Sequence, residues 1–190
     1  MLTLERAKEI LHKHTTDPHL IKHAIAVSAA MGAMEEYFGS EKDHWEAIGY
    51  LHDVDYEKFP EEHLKHTREL LEPEGLEESE IRCILSHGYG MCSDVEPKTV
   101  IEKCLYTVDE LTGIVMAAAL MRPTGIVDLG VSSAKKKFKD KKFAAKCDRS
   151  VILNGCAMLG LELDVVLHRT IVGMQAKTLE LGLEGKEHQA

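Results

Sequence analysis

Two adjacent side chains, those of His52 and Asp53, end an apolar run that begins at Ala47. A histidine next to an aspartate is common by chance, and the pair gains significance from four residues far from it in the sequence. These are three more histidines and a second aspartate: His23, His63, His87 and Asp109. Imidazole nitrogens mixed with carboxylate oxygens suit divalent ions such as iron, manganese, nickel, zinc or magnesium. The set therefore predicts a centre for one or two divalent metal ions.

A structural role competes with this interpretation for each residue taken alone. A single histidine on a helix face is usually packed or hydrogen-bonded, and histidine is favoured near the negative end of a helix. Asp109 argues for a ligand, because it falls beside the apolar stripe of a long predicted helix. An unpaired carboxylate buried there would cost several kcal/mol, and a bound dication removes that cost. The combination of residues favours metal binding.

Helical spacing of apolar residues predicts the elements that position these side chains. A short first helix begins near Leu4. Asp17 and Pro18 then provide an N-cap and a first helical residue. The second helix continues to about Phe38 and carries His23 on its buried stripe.

The third predicted helix opens at a capping pair, Ser40 and Asp43, and ends at His52 and Asp53. Consecutive helical residues point about 100° apart, so both of the last two side chains reach one site only if that site lies between them. Two metal ions bridged by the carboxylate of Asp53 satisfy that geometry.

Three further predicted helices carry the other candidates. The fourth covers residues 60–71 and turns His63 inward, and the fifth ends at His87, where glycines follow. The sixth runs from Pro97 to about Met121 and contains Asp109.

The remaining residues, 122–190, are predicted to extend a helical core formed by residues 17–121. Amphipathic helices between Val151 and Leu183 should split near Gly160, and residues 184–190 are expected to fray. Only Gly125–Val131 resembles a strand, and it is short. The sequence therefore predicts an all-α fold, a helical bundle with additional C-terminal helices in a single domain over residues 1–190.

Composition excludes several classes of function. The net charge of −9 argues against binding of duplex nucleic acid or an anionic membrane. Five cysteines without a C-x-x-C pair favour neither a disulfide framework nor a thiolate zinc site. The longest apolar run, Ile114–Met121, is too short to span a bilayer, and the first residues lack the apolar stretch of a signal peptide. We expect a cytoplasmic protein.

The order His23, His52-Asp53, Asp109 resembles the signature of the HD-domain superfamily of metal-dependent phosphohydrolases, over residues 17–121. The chain as a whole is similar to a bacterial group of HD-domain proteins described as predicted hydrolases of unknown substrate. The resemblance implies that His23, His52, Asp53 and Asp109 bind a first metal ion. It also implies that His63 and His87 complete a second site, with Asp53 as the bridge.

The sequence departs from several branches of that superfamily. Cyclic-dinucleotide phosphodiesterases have Gly-Lys two residues beyond the His-Asp pair and a Gly-Tyr-Pro element, whereas this chain has Asp55-Tyr56 and Gly88-Tyr89-Gly90. Deoxynucleotidases and alarmone hydrolases place a glutamate where Tyr56 stands. Those substrates are therefore disfavoured.

The resulting hypothesis is a phosphohydrolase that cleaves a small nucleotide or related phosphorylated metabolite with metal-activated water. Asp53 would be the catalytic residue, and unliganded carboxylates such as Asp55 or Glu57 would accept a proton.

A lysine-rich segment, Ser133–Arg149, contains seven lysines and one arginine. Lys136, Lys137 and Lys141 are candidates for binding substrate phosphate. The competing interpretations are a solvated helix face and a surface for single-stranded nucleic acid, although Phe138 and Phe143 fit a core better than a stacking platform.

Two other classes of function stay open from the sequence alone. The superfamily contains di-iron oxygenases with the same ligand types, and a non-catalytic nucleotide-binding or sensor module would keep the same helical scaffold. The amphipathic C-terminal helices offer a surface for oligomer formation.

Overall fold

The computed structural model describes residues 1–39 and 41–186. Within these residues the chain forms ten α-helices and no strand, so the predicted all-α fold is confirmed. The helices are α1 Leu4–Leu11, α2 Pro18–Phe38, α3 Lys42–Leu51, α4 Thr67–Leu71, α5 Glu78–Ser86, α6 Val100–Leu120, α7 Val131–Lys139, α8 Arg149–Leu159, α9 Leu163–Gln175 and α10 Thr178–Leu181. Two 3-10 turns, Pro60–Glu62 and Glu72–Glu74, flank α4. The strand candidate at 125–131 forms turns that lead into α7.

Two long helices, α2 and α6, form the frame of the molecule, and both begin at side-chain caps. The carboxylate of Asp17 accepts a hydrogen bond from the backbone N–H of His19, and Pro18 occupies the first turn, as predicted. At α6, Thr99 and Glu102 form a capping box, so the helix starts a little after the predicted Pro97. The buried faces of α2 and α6 share one hydrophobic core, which includes Met31 of α2.

Helix α3 crosses α2 at short range because Gly49 has no side chain. A Cβ atom at Gly49 would lie 2.9 Å from the carbonyl oxygen of Val27 and from the Cγ of Met31. The end of α3, and with it His52, is therefore fixed against the middle of α2. The prediction that α3 delivers His52 and Asp53 at its C-terminal end agrees with this placement.

The prediction of one helix over residues 60–71 is wrong. The chain makes a 3-10 turn, leaves helical geometry at His63 (φ −49°, ψ 135°) and enters α4 only at Thr67. Leu64 adopts a left-handed conformation (φ 68°), which an α-helix does not contain. The apolar spacing of this stretch is helical, but the buried carboxylate of Asp55 binds the backbone N–H of His66 and the hydroxyl of Thr67, and this contact sets the start of α4.

The C-terminal helices pack on the frame formed by α2 and α6. Helix α9 contacts α2, α8 contacts α6, and α7 lies against α6 and α9. The predicted break falls at Gly160, which caps α8 in a left-handed conformation (φ 67°). Side chains such as Ile152 and Met174 belong to the same core cluster as Met31.

Two sequence predictions fall partly on residues that are not described. Ser40, the first half of the predicted capping pair, lies outside the described residues, as do residues 187–190 of the expected frayed tail. Within the described part of the chain, no single helix is long and apolar enough to cross a membrane. Only α8 and α9 taken together meet that test, and the chain bends by 105° between them.

Candidate metal centre

The structure brings the six candidate ligands together although they come from separate elements. His23 lies on α2 and Asp109 on α6, while His52 and His87 are the C-cap residues of α3 and α5. Five of the six line a cavity of about 370 Å³; His52 is fully buried behind it. The sequence prediction that these residues share one site therefore agrees with their positions.

A first group of ligands consists of His23, His52 and Asp109. Oδ1 of Asp109 lies 2.9 Å from Nε2 of His23 and 3.3 Å from Nε2 of His52. The two Nε2 atoms are 3.2 Å apart. The ligand atoms of this group all lie within 4.8 Å of one another, a spacing that fits coordination of one ion.

A second group consists of His63 and His87, whose Nε2 atoms are 3.1 Å apart. Asp53 lies between the two groups. Its Oδ1 is 3.3 Å from Nε2 of His52, 3.3 Å from Nε2 of His63 and 3.4 Å from Nε2 of His87, and its Oδ2 is 3.5 Å from Nε2 of His23. Among the carboxylates of residues 1–39 and 41–186, Asp53 is thus the one that contacts both groups.

Hydrogen bonds on the outer ring nitrogens determine which atoms face the centre. Nδ1 of His52 donates to the carbonyl oxygen of Gly49 at 2.8 Å, and Nδ1 of His87 donates to that of Ile84 at 2.6 Å. A carbonyl oxygen only accepts, so each Nδ1 carries a proton and Nε2 is the ring atom that faces Asp53. Unprotonated ring nitrogens and carboxylate oxygens this close repel one another unless a proton or a metal ion lies among them. The donor set therefore fits a divalent metal ion.

Ionisation of the metal-free centre reflects the same crowding. Burial opposes a charge on His52, but Asp53 and Asp109 outweigh it and raise the pKa of His52 well above its ordinary value. Burial likewise opposes a charge on His63, while Asp53 and Asp55 raise its pKa to about 9. The pKa of Asp53 and that of Asp109 are lowered despite burial, because His52 is so close to both. Protons on His52 and His63 balance the carboxylates where no metal does so.

Asp55 has a role that the sequence interpretation assigned wrongly. We expected it to be a free proton acceptor, but it is fully buried and its carboxylate is already occupied. Oδ1 accepts from Nδ1 of His63 at 2.8 Å, and Oδ2 accepts from the hydroxyl of Thr67 at 3.0 Å and from the backbone N–H of His66 at 3.3 Å. Asp55 therefore orients His63, in the way that outer carboxylates orient metal-binding histidines.

Glu57, the other expected proton acceptor, lies away from the cavity. Its carboxylate accepts from the backbone N–H groups of Thr16 and Asp17, at 2.8 and 2.9 Å. It therefore stabilises the turn before α2.

The candidate lysines are not among the residues that line the cavity. Lys136 and Lys141 are exposed, and Nζ of Lys137 lies 4.8 Å above the ring of Phe143. Phe138 is buried in the core, as expected. A role for the three lysines in binding phosphate stays a prediction.

Several cavity residues carried no signal in the sequence. Glu110 follows Asp109 directly on α6 and accepts a hydrogen bond from the backbone N–H of Asp148 at 2.8 Å. Tyr56, Cys92 and Cys147 also line the cavity. Spacing could not identify Tyr56, Cys92 and Cys147, because they lie in turns whose path depends on tertiary contacts.

Comparison with known proteins agrees with the geometry. The HD domain family model matches residues 20–114, which is half of the 190 residues and includes all six candidate ligands. No curated protein and no solved structure matches the chain significantly. With the matched segment and the ligand arrangement taken together, the chain belongs to the HD domain family.

Proposed function

We propose that the protein is a metal-dependent phosphohydrolase that cleaves a phosphomonoester or phosphodiester of a small nucleotide or related phosphorylated metabolite. The observation that carries the proposal is the position of Asp53, whose two carboxylate oxygens contact four histidine Nε2 atoms. The HD domain family includes metal-dependent phosphohydrolases as well as members that are not catalysts. The intact set of six ligands supports the catalytic alternative.

The two groups would hold one ion each. His23, His52, Asp53 and Asp109 would bind the first ion, and His63 and His87, with Asp53 shared, would bind the second. Iron, manganese, nickel, zinc and magnesium are all compatible with imidazole and carboxylate ligands. Bound there, a divalent ion would act as a Lewis acid that polarises a phosphoryl group and lowers the pKa of water, so that a hydroxide nucleophile is available near neutral pH.

The residues of the chain would orient the reactants. Oδ2 of Asp53 lies 3.5 Å from Nε2 of His23, and Asp53 lines the cavity. It can therefore accept a hydrogen bond from the attacking water and direct the oxygen lone pair toward phosphorus. Asp53 and Asp109 would repel a phosphate dianion in the absence of cations, so substrate binding and metal binding should be coupled.

The test is ester hydrolysis by chelator-treated protein reloaded separately with manganese, iron, nickel, zinc and magnesium. We expect release of inorganic phosphate or of a nucleotide with at least one metal, and loss of this activity in Asp53→Ala with an unchanged helical circular dichroism spectrum. Asp94→Ala removes an exposed loop carboxylate and serves as the matched control, with activity retained.

Two results would contradict the proposal. One is equal activity in Asp53→Ala and the wild type. The other is oxygen consumption by the iron-loaded protein without cleavage of any ester, which would support the di-iron oxygenase instead.

A further inference from the structure

A second cavity, of about 360 Å³, borders the metal centre on the other side of His23. It lies between α2 and α6, and Leu181 and Gly182, at the end of α10, also line it. The two cavities share His23 and Gly113 as lining residues. The two cavities therefore adjoin, and a ligand that reaches from the metal centre into the second cavity would pass beside His23 and Gly113.

The walls of the second cavity are mainly apolar. Its lining side chains on α2 and α6 include Ala26, Met116, Ala117 and Leu120. The hydroxyl of Thr112, which also lines the cavity, donates to the carbonyl oxygen of Asp109 at 2.8 Å and is thus not free to donate to a ligand.

Apart from His23 and Thr112, the polar side chains that line this cavity are exposed. His19 and Lys22 line it and are exposed. Lys22 forms no ion pair with any residue that the structure describes. Long basic side chains line apolar surface with their methylene groups while the charge stays in water.

This composition distinguishes between classes of leaving group. A nucleobase needs hydrogen-bond partners, because burying its polar edges without them is unfavourable. The walls at Ala26, Met116 and Ala117 offer none. An alkyl or prenyl chain needs only apolar contact, and each buried methylene improves affinity about fourfold.

The outer end of the cavity leaves space for a long chain. Leu120 and Met121 end α6 and are 63% and 66% exposed, which is high for apolar side chains. A chain longer than the cavity would continue over these two residues.

We propose that the substrate is a phosphate ester of an apolar alcohol, with the phosphate at the metal centre and the alkyl or prenyl chain in the cavity between α2 and α6. This inference rests on the proposed function and narrows its substrate class. In the reaction, the oxygen of water forms a bond to phosphorus and the bond between phosphorus and the alcohol oxygen breaks. The alcohol oxygen takes up a proton derived from the water, so the products are the free alcohol and phosphate.

Binding of non-hydrolysable alkylphosphonates to the metal-loaded protein tests the inference without relying on turnover. By calorimetry, octylphosphonate should bind about 4,000-fold more tightly than ethylphosphonate, since six additional methylenes become buried and each contributes about fourfold. Adenosine monophosphate should bind more weakly than octylphosphonate.

Two variants assign the effect to the cavity. Ala117→Phe fills it, and the ratio of the two dissociation constants should fall to within about threefold of unity. Leu120→Ala removes an exposed wall and should weaken octylphosphonate binding by about three- to tenfold. Leu153→Ala removes an exposed leucine of α8 that lines none of the described cavities, and it should leave the ratio unchanged.

The outcomes separate the two proposals. Dissociation constants that do not depend on chain length, or adenosine monophosphate bound as tightly as octylphosphonate, would overturn the apolar substrate. A chain-length effect that Ala117→Phe does not reduce would also overturn it. Tight, cavity-dependent binding of octylphosphonate without hydrolysis of octyl phosphate would support the binding site and contradict the phosphohydrolase.

Discussion

The two groups of ligands in the metal centre are built in different ways. His23 and Asp109 lie within α2 and α6, each 21 residues long, whose buried faces form the core. His63 lies in a turn between a 3-10 turn and the five-residue α4. Its orientation depends on one carboxylate, that of Asp55. Core packing fixes His23 and Asp109, whereas a hydrogen bond to Asp55 fixes His63, so the second group should be the easier to perturb.

Removal of the shared carboxylate should have the largest effect. In Asp53→Ala we expect bound metal to fall below about 0.2 equivalents per chain, because both groups lose a ligand and a negative charge. Elemental analysis of protein prepared without chelator measures this. An unchanged content of two equivalents would show that Asp53 is not shared.

Removing one ligand from each group in turn should show whether the two groups bind their metal ions independently. His63→Ala is expected to keep about one equivalent of metal of the original two, since the first group retains all its ligands. His23→Ala should instead weaken the first ion. If His63→Ala loses both ions, the two groups form one cooperative unit and the comparison fails.

The pH dependence of the metal-free protein should reveal the protonated histidines. The pKa of His63 is raised to about 9, above its unfolded value of about 6.5, so the folded state binds the proton more tightly. The resulting stabilisation is full below about pH 6.5 and is lost as the pH rises through about 9, with a magnitude of up to about 3 kcal/mol. Urea unfolding in the presence of a chelator at several pH values measures this stabilisation. In His63→Gln the free energy of unfolding should depend less on pH.

Metal binding should show the opposite trend, because the ion replaces the proton. Apparent metal affinity is expected to rise with pH until about 9, with protons released on binding. Calorimetry in buffers of different ionisation enthalpy counts these protons. A proton count of zero at pH 7 would contradict the protonated state of the metal-free centre.

Asp55→Asn should have a smaller effect, confined to the second group. The amide keeps the shape but loses the charge that orients His63, and such outer-ligand changes typically lower metal affinity about 10- to 100-fold. Stability should fall by about 1–2 kcal/mol because buried partners are left poorly paired. Glu61→Gln, the same chemical change at an exposed residue nearby, is the control. Equal loss of both metal ions in Asp55→Asn would contradict the separate roles of the two groups.

The sequence predicted the ligands on the long helices better than the ligand that lies in a turn. Helical periodicity located His23 and Asp109 because each long helix buries a regular stripe, and caps at Asp17 and Gly160 marked helix boundaries. His63 was expected to point inward on a helix; it points inward from a turn. The carboxylate of Asp55, eight residues before His63, sets that path, and the helical spacing of apolar residues does not contain this information.

The parts that could not be predicted depend on distances between elements. Asp55 looked like a free base because its partners, Thr67 among them, follow a turn that the pattern did not predict. The cavity between α2 and α6 depends on how closely those helices approach. Residues such as Ala26 and Ala117 appear in the sequence as ordinary helix formers.

The rings of His52 and His87 are oriented by the same kind of local hydrogen bond. Each ends a helix, and each ring binds the carbonyl oxygen of the residue three positions earlier, Gly49 or Ile84. The orientation of the ring is thus set within a four-residue stretch, independently of the path of the chain between the two helices. A length change in an exposed part of the connection between them should therefore leave both rings correctly directed. The same four-residue arrangement could be transplanted to other helix ends when a histidine must be oriented with no help from distant residues.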